Sequence, residues 1–222
     1  MEDRGSPGIP NGWYAVGWSK DLGVGDVQRI RYFENDMVLF RTRSGVARVL
    51  DAYCPHLGAH LAEGGRVQGE SVRCPFHGWE YDGKSGECAK IPYCARIPAK
   101  ARVRAWDVCE LNHMIFVWHH AEGKAPSWEV PAATQYGDAD WSPVRTFEIE
   151  VPVHIQDMAE NNLDPVHFEY VHKMSGTPDT EISFEEDGRV LNAVSYSTQE
   201  TPVGTFDMQL LRETWGLGLG TV

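Results

Sequence analysis

The stretch CPFHGW (residues 74–79) sets a thiol three residues before an imidazole, between a proline and a glycine. Pro75 and Gly78 are both poor helix formers, so the segment reads as a tight loop turning Cys74 and His77 toward one point. Twenty residues upstream, CPHLGAHL (54–61) offers Cys54 and His56 with Pro55 between them. Two loops that each supply one sulfur and one nitrogen predict a shared metal centre, held in a region of short strands and turns.

The spacing is C-x-H, seventeen residues, then C-x-x-H. Four such donors can hold a zinc ion tetrahedrally. They can equally hold a two-iron, two-sulfide cluster, with both thiolates on one iron and both imidazoles on the other. Ligand order favours the cluster. Zinc fingers of this composition usually pair Cys with Cys and His with His, whereas here each loop gives one of each and can span both irons. Glycines and prolines around the ligands leave backbone N–H groups free to point at bridging sulfides. Trp79 reads either as an aromatic packed beside such a centre or as an ordinary core residue.

Outward from these loops, the chain of 222 residues is long enough for one large domain or two modest ones. Hydrophobic residues at 42% and charged residues at 23% place it among globular proteins. A formal charge of -12, from 20 basic and 32 acidic residues, argues against a nucleic-acid binder and for an acidic enzyme or one that docks a basic partner. No run approaches the roughly 20 apolar residues of a spanning helix, and the N-terminus lacks the apolar segment of a signal peptide. A cytoplasmic setting is expected. The five cysteines (Cys54, Cys74, Cys88, Cys94 and Cys109) form an odd set without a secretion signal, which reads as thiols kept for metal rather than as disulfides such as Cys88–Cys94.

Residues 37–53, MVLFRTRSGVARVLDAY, predict a hairpin turning around Ser44-Gly45, and 113–120 a further strand. The glycine-punctuated stretch 58–86 reads as loop. Residues 121–143 carry three prolines and little periodicity, as a linker or domain crossing does. In 145–156, Phe147, Ile149, Val151 and Val153 alternate with Glu148, Glu150 and Pro152, the period of a half-buried strand. Residues 157–174 predict the main helical stretch, interrupted at Pro165. The segment 188–218 predicts two more strands joined around Pro202-Val203-Gly204.

The helical stretch holds a second constellation. Asp164 followed by Pro165 is a helix start, an N-cap carboxylate and then proline at the first helical position. His167 and His172 lie five residues apart, about 500° of helical rotation, so about 140° from a shared face. Both can reach one metal only if the helix widens toward π geometry or ends between them. Taken alone, this pair is equally well read as two partly buried structural histidines.

Together, CPHLGAHL and CPFHGW resemble the Rieske motif of the Rieske non-haem iron oxygenases. The likeness runs from NGWYAVGWSKDL (11–22) through the helical stretch. CPHLGAHLAEGG, GECAKIPY (86–93) and HIQDMAENNLDPVHFEYVH (154–172) are most similar to the branch of sterol C7-desaturases and 3-ketosteroid 9α-hydroxylases. It implies an α+β chain: a tail (1–10), an antiparallel β Rieske domain (11–123), and the front part of an α+β helix-grip-type catalytic domain (124–222). It implies a [2Fe-2S] cluster with Cys54 and Cys74 on one iron and His56 and His77 on the other. The pattern N-x-x-D-x-x-H-x4-H is matched at every fixed position by Asn161, Asp164, His167 and His172. On that likeness His167 and His172 hold a mononuclear Fe(II), Asn161 lines the same site, and Asp164 bridges to a Rieske histidine of a neighbouring subunit.

The family's carboxylate ligand lies further downstream than Val222. Asp179, Glu181, Asp187, Glu200 and Asp207 follow the histidines, but none stands where the family places it, so the catalytic domain is expected to be incomplete at its C-terminus. The function implied is an oxygenase component that takes electrons from a ferredoxin or flavin-dependent reductase. It uses O2 to hydroxylate or desaturate a hydrophobic small molecule, a sterol or steroid by branch, within a homotrimer. The rival readings are a Rieske-type electron carrier without catalytic iron, an oxygenase of an aromatic compound, and a zinc-stabilised binding module.

Overall fold

The computed structural model describes residues 8–136, 138–185 and 188–222; Asp187 and residues 1–7 of the expected tail lie outside the described residues. Two compact units divide between Ser142 and Pro143. Among the described residues no helix is long and apolar enough to cross a membrane.

The first unit is built of short antiparallel strands: β1 (Gly12–Trp18), β2 (Val27–Tyr32), β3 (Asn35–Arg41), β4 (Ala47–Asp51), β5 (Arg66–Gln68), β6 (Ser71–Arg73), β7 (Glu80–Asp82), β8 (Cys88–Lys90), β9 (Val108–Leu111) and β10 (Met114–His119). They form three sheets, ordered β1-β10-β9, β2-β3-β4 and β5-β6-β7-β8. The hairpin expected over 37–53 is β3–β4, with Gly45 at φ +90° in its turn. The run Met37-Val38-Leu39-Phe40 does not alternate with polar residues because both faces of β3 are covered. Val38 and Phe40 face one core with Leu50, Leu61, Val72 and Tyr81, whereas Met37 and Leu39 face another with Val49, Trp106, Ile115 and Val117.

Two differences from the sequence reading fall in this unit. The stretch 58–86 contains β5, β6 and β7 besides its loops, three-residue strands too short to show a period of two. Residues 124–142 pack with the first unit instead of opening the second. Trp13 Nε1 donates to the Trp128 carbonyl at 2.8 Å, Trp118 meets Trp128 edge-on, and Asn112 is bonded to Pro131 and Ala133.

The second unit has two short helices, α1 (Ile155–Asn161) and α2 (Val166–Tyr170), and an antiparallel sheet in the order β11 (Asp179–Glu185), β12 (Val190–Thr201), β13 (Gly204–Trp215), β14 (Leu219–Thr221). Strands β12 and β13 are the expected pair, closing at Thr201 and Gly204. Strand β11 was not legible, since only Ile182 and Phe184 mark an apolar face. The strand expected over 145–156 is not formed: no ladder bonds are made there among the described residues, and Phe147 and Ile149 are 79% and 74% exposed. Alternation prepares one face for burial, but a strand also needs a partner for its backbone N–H and C=O groups.

Candidate metal centres

The two loops of the first unit close in the same way. After β4, the Cys54 amide donates to the Ala59 carbonyl and its own carbonyl accepts from Gly58, both at 2.9 Å. After β6, the Cys74 amide donates to the Trp79 carbonyl at 2.8 Å and its carbonyl accepts from Gly78 at 3.1 Å. Each closure needs a residue in the left-handed region, and Gly58 (φ +75°) and Gly78 (φ +71°) supply it. The loops are brought together at Gly65, where a Cβ would come within 1.9 Å of the Leu61 carbonyl oxygen and 3.1 Å of that of Arg73. Only a glycine permits that approach between the first loop and the strand that carries the second.

This folding sorts the four donors into two pairs. Cys54 and Cys74 are each 2% exposed and belong to the core. Burial pushes the Cys74 thiol up, and the backbone N–H groups of Phe76 and His77 oppose it by donating to the sulfur. His56 and His77 lie outward of them, ring centroids 4.6 Å apart and inclined at 71°. Nδ1 of His56 is buried without a hydrogen-bond partner. A buried imidazole nitrogen left bare beside a second imidazole, on the same two loops as two buried thiols, fits the donor set of a two-iron, two-sulfide cluster. Among the described residues no three His, Cys, Asp or Glu converge to hold a single ion, so the loops offer pairs. His60, the other histidine of CPHLGAHL, is turned elsewhere; its Nδ1 accepts from the Ala62 amide and its ring meets Tyr53.

Two neighbours tune these pairs. Trp79 lies flat on His56, 4.5 Å between centroids and 8° between planes, and its Nε1 donates to the Tyr93 hydroxyl at 2.8 Å. Tyr81, fully buried, sets its hydroxyl 3.0 Å from Cys54 Sγ. Burial and then this contact push its phenol far above the ordinary tyrosine range, so it stays protonated and able to donate. Tyr81 was missed from sequence. No local signal marked it, because three-residue β7 is too short to show a period and the contact joins residues 27 positions apart.

In the second unit the helix ends between the two histidines. Strand-free residues follow Tyr170, and Lys173 takes φ +58°. The His167 carbonyl accepts from Val171 at 2.7 Å and, longer, from His172 at 3.4 Å, a last turn that widens toward five residues. The two rings come within 5.2 Å. Helix α2 starts one residue later than expected, with Pro165 at the cap position, but the Asp164 carboxylate still caps it by accepting from the Val166 amide at 2.9 Å. The Asp164 carbonyl accepts from His167 Nδ1 at 2.5 Å, which leaves Nε2 with its lone pair. Side-chain exposure is 12% for His167 and 51% for Asp164. Asn161 ends α1 in an exposed position. Two neighbouring imidazoles, one with its tautomer fixed, fit two positions of a ferrous ion.

Comparison with known proteins gives the same order of parts. The Rieske [2Fe-2S] domain profile matches residues 12–106, and that of the 3-Ketosteroid 9alpha-hydroxylase C-terminal domain matches 117–221. The chain is 41% identical over 172 residues to the cholesterol 7-desaturase nvd of Xenopus laevis, covering 78% of this chain and 38% of that protein. It is 40% identical over 164 residues to the "Probable 3-ketosteroid-9-alpha-monooxygenase, oxygenase component" of Rhodococcus rhodochrous, covering 72% and 41%. The chain thus spans about two-fifths of the length of these curated relatives. Among solved structures, dicamba monooxygenase bound to dicamba superposes with a TM-score of 0.73 at 22% identity, over 93% of this chain and 64% of that one. NdmA of Pseudomonas putida CBB5 with caffeine gives 0.71 at 20% identity, over 90% and 64%. At those identities the likeness is one of fold.

Proposed function

The chain belongs to the Rieske-type oxygenases in which a Rieske [2Fe-2S] domain precedes a 3-ketosteroid 9alpha-hydroxylase C-terminal domain, and from that premise we propose that it is the oxygenase component of a system that hydroxylates or desaturates a sterol or steroid. The observation that carries this reading is the second histidine pair, His167 and His172 at 5.2 Å. An electron carrier needs only the first four ligands.

In this reading the Rieske domain takes in electrons, and the residues after it begin the catalytic domain. Cys54 and Cys74 would hold one iron of the cluster and His56 and His77 the other; His167 and His172 would hold a mononuclear ferrous ion. When bound, these groups supply one-electron delivery and the activation of dioxygen for attack on a C–H bond. The chain's own residues set the conditions. Tyr81 donates to Cys54 and so favours the more negative, reduced charge state. Trp79 keeps the His56 ring in plane, and Tyr93 keeps Trp79 in place. The Asp164 carbonyl fixes the His167 tautomer while its half-exposed carboxylate remains available to a neighbouring subunit's histidine, which is the reason for expecting a homotrimer. Asn161 is proposed as a polar residue at the edge of the same site. The donor is a ferredoxin or flavin-dependent reductase, and the setting is the cytoplasm.

The substrate class follows from the two relatives near 40% identity, whose names are those of sterol and ketosteroid enzymes; the aromatic and purine names belong to neighbours alike in fold only. The test is turnover by the full-length protein, with a reductase supplied, of a panel of sterols, 3-ketosteroids and aromatic acids, products read by mass. A steroid product that has gained one oxygen or lost two hydrogens is expected. Turnover of aromatic acids alone, or of nothing while both iron centres are loaded, would overturn it.

A further inference from the structure

One buried charge in the second unit has no part in the reading above. Arg212, on β13, is 4% exposed and makes no ion pair among the described residues. A guanidinium taken out of water without an anion is costly, so what it holds in exchange matters. One Nη donates to the Asn162 carbonyl, the residue that closes α1, and the other donates to the Ser195 hydroxyl on β12. Its Nε has no hydrogen-bond partner among the described residues. The guanidinium carbon lies over the Phe168 ring, 5.0 Å from its centre, in the middle of α2. Phe168 in turn packs beside both histidines, its ring centre 4.3 Å from that of His167 and 5.6 Å from that of His172.

The register explains how one side chain reaches so far. Arg212 lies opposite Ala193, whose lack of bulk lets the guanidinium cross β12 toward Ser195, two residues on along the same face. Ser195 is anchored by Thr180 of β11 at 2.7 Å. The sheet therefore grips the guanidinium, and the guanidinium grips the end of one helix and the face of the other.

We propose that Arg212 is the positioning residue of the histidine pair: fixed to the sheet through Ser195 and to α1 through Asn162, it backs Phe168 and so sets the angle at which His167 and His172 meet a metal. This rests on the reading of those histidines as ligands of one ion. Arginine suits the role because its planar fork donates in two directions while its face can stack on an aromatic ring; a lysine keeps the charge but has neither the rigid fork nor the flat face. The charge also complements the carbonyl end of α1.

The test uses the full chain with its cluster in place, titrated with Co(II), whose visible bands report both affinity and geometry. His167→Ala defines which band belongs to the histidine pair. Arg212→Lys, which retains the charge, is expected to weaken Co(II) binding about tenfold or more and to shift that band, with the cluster's own absorption unchanged. Phe168→Leu, which keeps the arginine and removes the ring face, is expected to produce the same shift. The double variant should lose little beyond either single one. Unchanged affinity and bands in folded Arg212→Lys, or strictly additive losses in the double variant, would overturn the inference alone. A wild type without any band that depends on His167 would overturn the metal-site reading, and the inference with it.

Discussion

At the scale of the residue, a single hydroxyl distinguishes the two thiols proposed to hold the cluster. Tyr81 reaches Cys54 at 3.0 Å from a fully buried position. A donor to a ligand sulfur stabilises the extra negative charge of the reduced state. Tyr81→Phe should therefore lower the cluster potential by about 60 mV, the one-electron equivalent of a hydrogen bond of about 1.4 kcal/mol. Voltammetry of both proteins measures it, and an unmoved or raised potential would count against the contact. Cys54, His56, Cys74 and His77 were named from sequence because metal donors in turn-forming surroundings are rare local patterns, whereas His167 and His172 were named only through the family resemblance. Tyr81 and Arg212 were not named at all, because each acts through a contact made by residues distant in the chain, 27 positions away for Tyr81 and Cys54 and 50 for Arg212 and Asn162.

At the scale of the element, the two ligand loops share one closure but not one environment. A Cβ at Gly58 would meet open space, whereas at Gly78 it would lie 2.9 Å from the Arg73 guanidinium and 3.1 Å from the Pro92 ring. Gly58→Ala should cost about 1 kcal/mol, for the left-handed backbone alone. Gly78→Ala should cost about 3 kcal/mol and should speed loss of the cluster to a chelator. Equal melting shifts for the two variants would contradict that ranking. A second element-scale device ties β3 to β9. Arg41 donates through both Nη groups to Glu110, at 2.8 and 2.7 Å, and this hydrogen bonding holds the Glu110 carboxyl below the ordinary glutamate range. A carboxylate with a lower pKa folded than unfolded adds stability that is complete above the unfolded value and is lost as pH falls through the folded one. Urea midpoints should fall as the pH is taken below the ordinary glutamate range. Glu110→Gln should remove that part of the slope and cost about 2 kcal/mol near neutrality; identical acid slopes would sink the assignment. Elements were legible where their pattern was local, as in β3–β4, β10 and β12–β13. The alternation of residues 145–153 misled because a pairing partner is not written in the strand itself.

At the scale of the whole molecule, the order of parts was legible: a cysteine–histidine loop region, then a histidine-bearing helix region. The boundary is placed after residue 123 by the sequence reading, while the second family profile begins at residue 117 and the compact units divide after Ser142. Proline-rich residues 124–142 look like a linker, yet Trp128 and its neighbours pack onto the first unit through aromatic contacts that leave no periodic trace. The same scale carries the central claim, that this polypeptide builds two separate iron centres. The direct measurement is the iron content and EPR spectrum of the purified protein beside those of His167→Ala. The account predicts about three iron atoms per wild-type chain, two of them in the cluster, with one signal from the reduced cluster and one from high-spin mononuclear iron. His167→Ala should keep the first signal and lose the second. A wild type with only one kind of centre, or a His167→Ala protein with both signals intact, would contradict it.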